Sequence, residues 1–261
     1  MLDGGGREPT VAMRGIVKRF GGVTALEGVD LDAYPGEVLA IVGDNGAGKS
    51  TLIKILTGVH RPTAGRIEMD GAPLAMADHS DAIARGIDAV YQTLALADHL
   101  PPAANVFLGN ELTTKVLGLT LLDNKRMRAE AETILFDRLG VRLPDMDAPA
   151  ASLSGGQRQA IAIARAVYHS DLRVLVMDEP TAALGPQETA RTLRLIATLR
   201  DQGLAVILIS HSLDDVFAVA DRVQVMRRGR RVGVVNVADV TPQDVLAMIV
   251  GASDDGAGNA A

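Results

Sequence analysis

Eight consecutive residues, Gly43-Asp44-Asn45-Gly46-Ala47-Gly48-Lys49-Ser50, follow the spacing G-x-x-x-x-G-K-[ST]. The chemistry this spacing serves is phosphate binding. Glycines let backbone N–H groups turn inward and approach phosphate oxygens closely, and the helix that follows adds its positive N-terminal end. Lys49 is expected to reach the β- and γ-phosphates, and the Ser50 hydroxyl to ligate Mg²⁺, with Thr51 completing the contact set. A chance match in a Gly-rich turn arises in roughly one chain in a hundred at average residue frequencies. Here the match follows an apolar run, Val38 to Val42, and precedes a helical run, Thr51 to Leu56, which is the context the chemistry requires.

A second stretch, Arg173-Val174-Leu175-Val176-Met177-Asp178-Glu179, reads as a buried strand ending in two carboxylates. Asp178 is placed to hold Mg²⁺ through the metal's water shell, and Glu179 to orient or deprotonate an attacking water. Pro180 biases Glu179 toward an extended backbone. The plainer reading is a strand running into an acidic surface turn.

The third stretch is Leu153-Ser154-Gly155-Gly156-Gln157. Ser154 and Gln157 have the spacing of a capping box, and an apolar-periodic helix follows through Ile161, Ala164 and Val167. Two glycines at that helix start are unexpected, since each costs about 1 kcal/mol relative to alanine inside a helix. They make sense if a phosphate approaches the backbone there. The sequence therefore holds two candidate phosphate sites. One nucleotide touched by both would explain the pair, and the two could belong to different chains.

The elements that must position these residues alternate. Val38 to Val42, Val174 to Met177 and Ala205 to Ile209 are short continuous apolar runs of the kind found in buried parallel strands. Between them, Arg126 to Leu139 places Met127, Ala131, Ile134, Leu135 and Leu139 on one helical face, and Thr189 to Leu199 does so with Leu193, Ile196 and Leu199. Ser212 and Thr241 open further helices as caps. The pattern predicts an α/β fold with a parallel sheet covered on both faces. No internal repeat is present, and the small, polar ends, residues 1–9 and 252–261, are expected to be disordered.

Composition narrows the partners. The chain has 261 residues, a formal charge of −6 and no cysteine. A protein of this charge has no global basic field for nucleic acid, and disulfides, Cys-ligated zinc and thiol catalysis are excluded. No apolar stretch approaches the length of a membrane span, so the chain is expected to be soluble by itself, with any membrane part supplied by another chain.

Leu153 to Gln157 reads LSGGQ, and with the strand of Asp178 and Glu179 a short helix further on it resembles the ABC ATPases. Further marks of that family occur in order. Phe20 is similar to the aromatic that stacks on adenine. Gln92, after the apolar Ile87 to Tyr91, resembles the glutamine that meets Mg²⁺ and the transmembrane partner. His211, after Ala205 to Ser210, resembles the histidine that contacts the γ-phosphate. Each has an ordinary reading as well: packing for Phe20, a strand-end polar residue for Gln92, and a satisfied histidine beside a helix cap for His211. The resemblance covers about Val11 to Gly251.

It implies a P-loop NTPase fold with a mixed or parallel sheet core, an N-terminal antiparallel β subdomain, and a helical subdomain at about residues 93–165 within an ATPase domain at 10–251. It implies ATP and Mg²⁺ as ligands, with Glu179 and His211 catalytic. Ser50, Gln92 and Asp178 serve the metal. Phe20 and residues 43–51 bind the nucleotide, joined in trans by Ser154, Gly155, Gly156 and Gln157 of a second copy or a homologue. It implies membrane permease subunits as partners, a substrate-binding protein indirectly, and a peripheral place on the cytoplasmic face of the membrane.

One residue departs from the pattern. After Pro180-Thr181-Ala182-Ala183-Leu184 the family usually has an aspartate that helps couple the two ATP sites, and this chain has Gly185. Ala183-Leu184-Gly185 resembles the ATPases of monosaccharide importers, as do Phe20 to Leu26, Asp44-Asn45-Gly46 and Val106-Phe107-Leu108-Gly109. The sequence has one P-loop where many of those ATPases have two, and the short stretch after Gly251 is not expected to form an added regulatory domain. Asn124-Lys125-Arg126-Met127 lacks the aspartate of the guanine-reading motif, and no long heptad insertion is present. A soluble ATPase of the same family driving assembly or repair remains the alternative, and an ATP-binding scaffold without turnover a weaker one.

Overall fold

The computed structural model describes residues 7–168, 171–182 and 184–251. Residues 1–6 and 252–261 of the ends expected to be disordered, and Ala183 of the monosaccharide-importer pattern, lie outside the described residues. Arg7, assigned to the disordered N-terminus, donates from Nη2 to the carbonyl of Pro35 at 2.5 Å.

The elements run in order as β1 (Val11–Phe20), β2 (Val23–Ala33), β3 (Glu37–Val42), α1 (Lys49–Leu56), β4 (Ala64–Met69), β5 (Ala72–Leu74), α2 (His79–Ala84) and β6 (Ile87–Val90). They continue as α3 (Pro102–Val106), the hairpin β7 (Thr113–Val116) and β8 (Leu119–Leu122), α4 (Asn124–Thr133) and α5 (Gly155–Val167). The last part is β9 (Val174–Asp178), α6 (Pro186–Asp201), β10 (Ala205–Ile209), α7 (Leu213–Val219), β11 (Arg222–Arg227), β12 (Arg230–Asn236) and α8 (Pro242–Val250).

Six strands form the central sheet in the order β12-β11-β3-β10-β9-β6. Neighbours from β11 to β6 are parallel, and β12 joins the edge antiparallel through its hairpin with β11. Strand alternation sends side chains to two separate cores. Val38, Ala40, Val42, Leu175, Met177, Val206 and Leu208 face α3 to α8. Leu39, Ile41, Val174, Val176, Ala205, Ile207 and Ile209 face α1 and a second sheet, β2-β1-β4-β5, which is antiparallel throughout. The sheet is thus covered on both faces as its apolar runs require, but one cover is itself partly a sheet. All six residues of β3 are buried. Each large aliphatic side chain so enclosed contributes about 1.5–3 kcal/mol.

The helix expected over Arg126 to Leu139 ends as α4 at Thr133 and continues as a single π-turn, in which Leu139 N–H donates to Ile134 O, five residues back. The wider turn keeps Ile134, Leu135 and Leu139 all buried beside Met127 and Ala131. In α6, Thr192 and Leu195 join Ile196 and Leu199 in the core, while Leu193 is half-buried.

Residues 93–165, expected to be helical, also hold the β7–β8 hairpin, whose leucines are exposed: Leu117, Leu119, Leu121 and Leu122. The stretch between β6 and α3 is irregular, and Asn105, fully buried in α3, organises its second half. Asn105 Oδ1 accepts from Ala97 N–H at 2.7 Å, and Nδ2 lies within 3.1 to 3.3 Å of the carbonyls of Ala97, Leu100 and Pro101. Asn105→Ala leaves these buried groups without partners. It is expected to lower the unfolding free energy by about 2–4 kcal/mol in a urea titration, with an unchanged denaturant slope. A loss below about 0.5 kcal/mol would mean that water replaces the amide there.

Candidate functional site

Four strands of the central sheet deliver the site from their C-terminal ends, the edge where ligands of open parallel sheets bind. β3 runs into the phosphate loop, β9 into Asp178 and Glu179, β10 into Ser210 and His211, and β6 into Tyr91 and Gln92.

The phosphate loop has no room for side chains at two of its bends. A Cβ on Gly43, at φ +148°, would lie 2.1 Å from the Met226 carbonyl oxygen. One on Gly48, at φ +100°, would lie 2.7 Å from Leu26 Cδ2 and 2.9 Å from the Ala25 oxygen. Gly48 is the N-cap of α1, and Leu52 N–H returns to its carbonyl at 2.9 Å. Lys49 is buried and folds back under the loop, donating to Gly43 O at 2.6 Å and Asp44 O at 3.0 Å. Burial pushes its ammonium below the ordinary lysine range, and the carboxylates of Glu179, Asp178 and Asp44 act against that.

Asp178 ends β9. Burial, reinforced by Glu179, pushes its carboxyl above the usual range, while Lys49, Lys54 and His211 pull it back. Two adjacent carboxylates thus share one strand end with the buried lysine. Glu179 is not extended as Pro180 predicts: its φ is +53°. Proline disfavours the right-handed helical region for its predecessor but does not by itself fix φ. Glu179 N–H donates to Ile209 O at 2.9 Å, carrying the β9–β10 ladder one residue further. Its carboxylate then meets two partners: His211 Nε2 lies 2.7 Å from Oε1, and Gln92 Nε2 donates to Oε2 at 3.3 Å. A left-handed non-glycine residue costs about 1–2 kcal/mol, and such strain collects at functional sites.

A cleft of about 560 Å³ joins Phe20, Val23, residues 45–51, Glu179 and His211. Phe20 is half exposed at its rim, set edge-on to His60 with centroids 5.4 Å apart, with Lys18 Nζ 4.9 Å from its ring. Gln92 does not line this cleft. It reaches Glu179 from a neighbouring one, shared with Leu94, Leu96 and α5. Among the described residues no three His, Cys, Asp or Glu side chains form a metal cage. Ser50 lines the cleft, and Asp178 ends β9 near enough to Lys49 for their charges to interact; such a pair suits an ion that takes most of its ligands from phosphates and water.

The expected capping box of α5 is formed: Ser154 N–H donates to Gln157 Oε1 at 2.9 Å, and Gln157 N–H to Ser154 Oγ at 3.4 Å. The structure does not bring residues 154–157 to the phosphate loop within one chain. Ser154, Gly156 and Gln157 line a separate cleft with Glu188 and Arg191. The two glycines also have a packing reason that the sequence did not show. A Cβ on Gly155 would meet Leu184 Cδ2 at 2.7 Å, and one on Gly156 would meet Glu188 Cβ at 3.3 Å. The Ser154 hydroxyl, helped by the Gly156 and Gly185 N–H groups, holds the Glu188 carboxyl below its usual range.

Sequence reasoning missed the turn between β11 and β12. Gly229 N–H donates to Ala47 O at 3.0 Å, and Glu27 N–H to Gly229 O at 2.8 Å, so the turn clamps the phosphate loop against β2. A glycine flanked by arginines between two short apolar strands was the available signal for a hairpin, but not for its partner.

The sequence profile of the family described as ABC transporter matches residues 26–182. The fructose import ATP-binding protein FrcA of Rhizobium meliloti is 43% identical over 251 residues, covering 95% of this chain and 96% of that protein. The ribose import ATP-binding protein RbsA 2 of Burkholderia cenocepacia (strain HI2424) is 46% identical over 236 residues, which are 90% of this chain but 46% of that protein, so this chain spans about half of its length. The crystal structure of a nucleotide-free ATP-binding cassette from an ABC transporter superposes with a TM-score of 0.77 at 26% identity, covering 92% of this chain and 98% of its own. With the profile running across the phosphate loop, the Ser154 loop and the Asp178-Glu179 strand, this chain belongs to the ABC transporter family.

Proposed function

We propose that this chain is the ATP-binding, ATP-hydrolysing subunit of an importer of monosaccharides, acting on a separate permease. The observation that carries the reading is the Glu179 carboxylate, held between His211 and Gln92 at the mouth of the phosphate-loop cleft. A carboxylate fixed at both oxygens beside a built phosphate site suits the positioning of a water for in-line attack. The names of the relatives supply the sugar class: one is a fructose import protein and another a ribose import protein. They favour transport over soluble assembly or repair.

In this reading the loop of residues 43–51 grips the phosphates and Phe20 stacks on the base. Mg²⁺, when bound, neutralises charge on the phosphates, with Ser50, Asp178 and Gln92 as its protein side. Glu179 orients the attacking water, and His211 holds Glu179 and meets the γ-phosphate. Ser154 to Gln157 complete the site of a neighbouring copy; within one chain Ser154, Gly156 and Gln157 line a cleft apart from the phosphate loop, and Gly155 lines the one that Gln92 shares with Glu179. No described helix is long and apolar enough to cross a membrane. In the same reading the permease is a separate partner, gripped by the segment of residues 93–165, and the chain sits on its cytoplasmic face. A substrate-binding protein delivers the sugar from the other side.

The transport reading is tested by purifying the chain with the membrane subunits that accompany it and reconstituting the complex in vesicles. ATP-dependent accumulation of labelled fructose, ribose or xylose is expected, and it should be absent with Glu179→Gln. ATP turnover without movement of any monosaccharide would remove the sugar-import reading. Two substitutions separate the roles within the site. Glu179→Gln should keep nucleotide affinity and lower turnover by about 100-fold or more, as loss of a positioned base does. Lys49→Ala should weaken ATP binding by at least about tenfold, because a charge-assisted contact to phosphate is lost. Glu179→Gln turnover within a few-fold of the parent, read in a phosphate-release assay, would reassign the water-positioning role.

A further inference from the structure

We infer that Arg165 is a positioning residue: through two adjacent backbone carbonyls it fixes the loop that carries Gln92, and so ties α5 to the Glu179 carboxylate. The inference rests on the reading above, in which Glu179 works with Gln92 at its side.

The loop between β6 and α3 has two halves with different supports. Asn105 holds the half from Ala97 to Pro101. The half that bears Gln92 meets α5 instead. Arg165 Nη2 donates to Leu94 O at 2.9 Å, and Nη1 to Ala95 O at 3.0 Å. Seven residues nearer the start of the same helix, Arg158 Nη2 meets Asp98 Oδ1 at 2.6 Å. Ala95 stands at φ +49°, a left-handed conformation that an alanine does not choose unaided. A planar fork taking two consecutive carbonyls can impose it, and a single ammonium cannot.

The arrangement is costly, which argues that it is held for a purpose. Burial pushes the Arg165 guanidinium below its ordinary range, with Asp88 acting against that. Its two charge-assisted bonds are spent on carbonyls of a loop whose neighbouring side chain, Gln92, donates to Glu179 at 3.3 Å. Moving that loop moves Gln92 relative to Glu179, and a displacement of about 1 Å is enough to cost a site of this kind up to about 100-fold in rate. Because Ser154 caps the start of α5, the same fork makes the position of residues 154–157 depend on the Gln92 loop.

The test compares Arg165→Gln and Arg165→Lys with the parent chain in three measurements: amide hydrogen exchange, affinity for a fluorescent ATP analogue, and kcat for ATP. Residues 92–97 should exchange faster in both variants, with β9 and α1 unchanged. Affinity should stay within about twofold, since Arg165 touches neither the phosphate loop nor Phe20, while kcat falls at least about tenfold for Arg165→Gln and less for Arg165→Lys. Should Arg165→Gln not fold, Arg165→Lys, which keeps the charge and stem but reaches one carbonyl, carries the same measurements. Unchanged exchange at residues 92–97 in a folded variant overturns the inference, as does faster exchange with an unchanged kcat or a loss of affinity equal to the loss of kcat. If the parent chain itself does not hydrolyse ATP, the reading of Glu179 fails, and the exchange measurement still decides whether Arg165 fixes the loop.

Discussion

The loop of residues 43–51 bends where a side chain would collide, and the elements around it are arranged to meet that constraint. At Gly43 and Gly48 the space of the missing Cβ is filled by the Met226 carbonyl on one side and by Leu26 and the Ala25 carbonyl on the other. The loop is therefore enclosed by β11 and β2, elements from opposite ends of the chain, with the Gly229 turn bonded to both Ala47 and Glu27. The antiparallel sheet is thus more than a cover for the core. It is one jaw of the clamp that holds the loop of residues 43–51 in shape.

Charge supplies the second constraint. Asp178 and Glu179 are consecutive and partly buried, an arrangement that like charges oppose. Lys49 offsets it from beneath the loop, and His211 and Gln92 occupy the two oxygens of Glu179. The left-handed backbone of Glu179 is the local cost of placing both carboxylates at one strand end. One buried lysine thus stands against two carboxylates beside the cleft lined by residues 45–51.

Much of this was legible in the sequence because short motifs carry their own mechanics. The apolar runs of β3, β9 and β10 and the caps at Ser154, Ser212 and Thr241 need only local chemistry, and all form as expected. What escaped depends on contacts between distant residues. Nothing near Gly229 says that it meets Ala47, nothing near Asn105 says that it holds four backbone groups, and no periodicity separates a π-turn at Ile134 from an α-turn. Glu179 shows a local rule yielding to tertiary demand: the proline after it predicts extension, and its ladder bond and two side-chain partners hold it elsewhere. The glycines of residues 155 and 156 were read as room for phosphate, and they also make room for Leu184 and Glu188.

Within one chain the phosphate loop and Ser154 line separate clefts, so the two can share a nucleotide only where two copies meet. The chain has no cysteine of its own, and Asn45 and Ser154 are both exposed, so cysteines placed there report on that meeting directly. Two differently tagged copies, both with Glu179→Gln to retain ATP, would carry Asn45→Cys in one and Ser154→Cys in the other, with a short thiol cross-linker added. A doubly tagged product that forms with ATP and Mg²⁺ and falls away without them is the predicted result. A product that forms equally well without nucleotide, or a link only within a single chain bearing both cysteines, would contradict it.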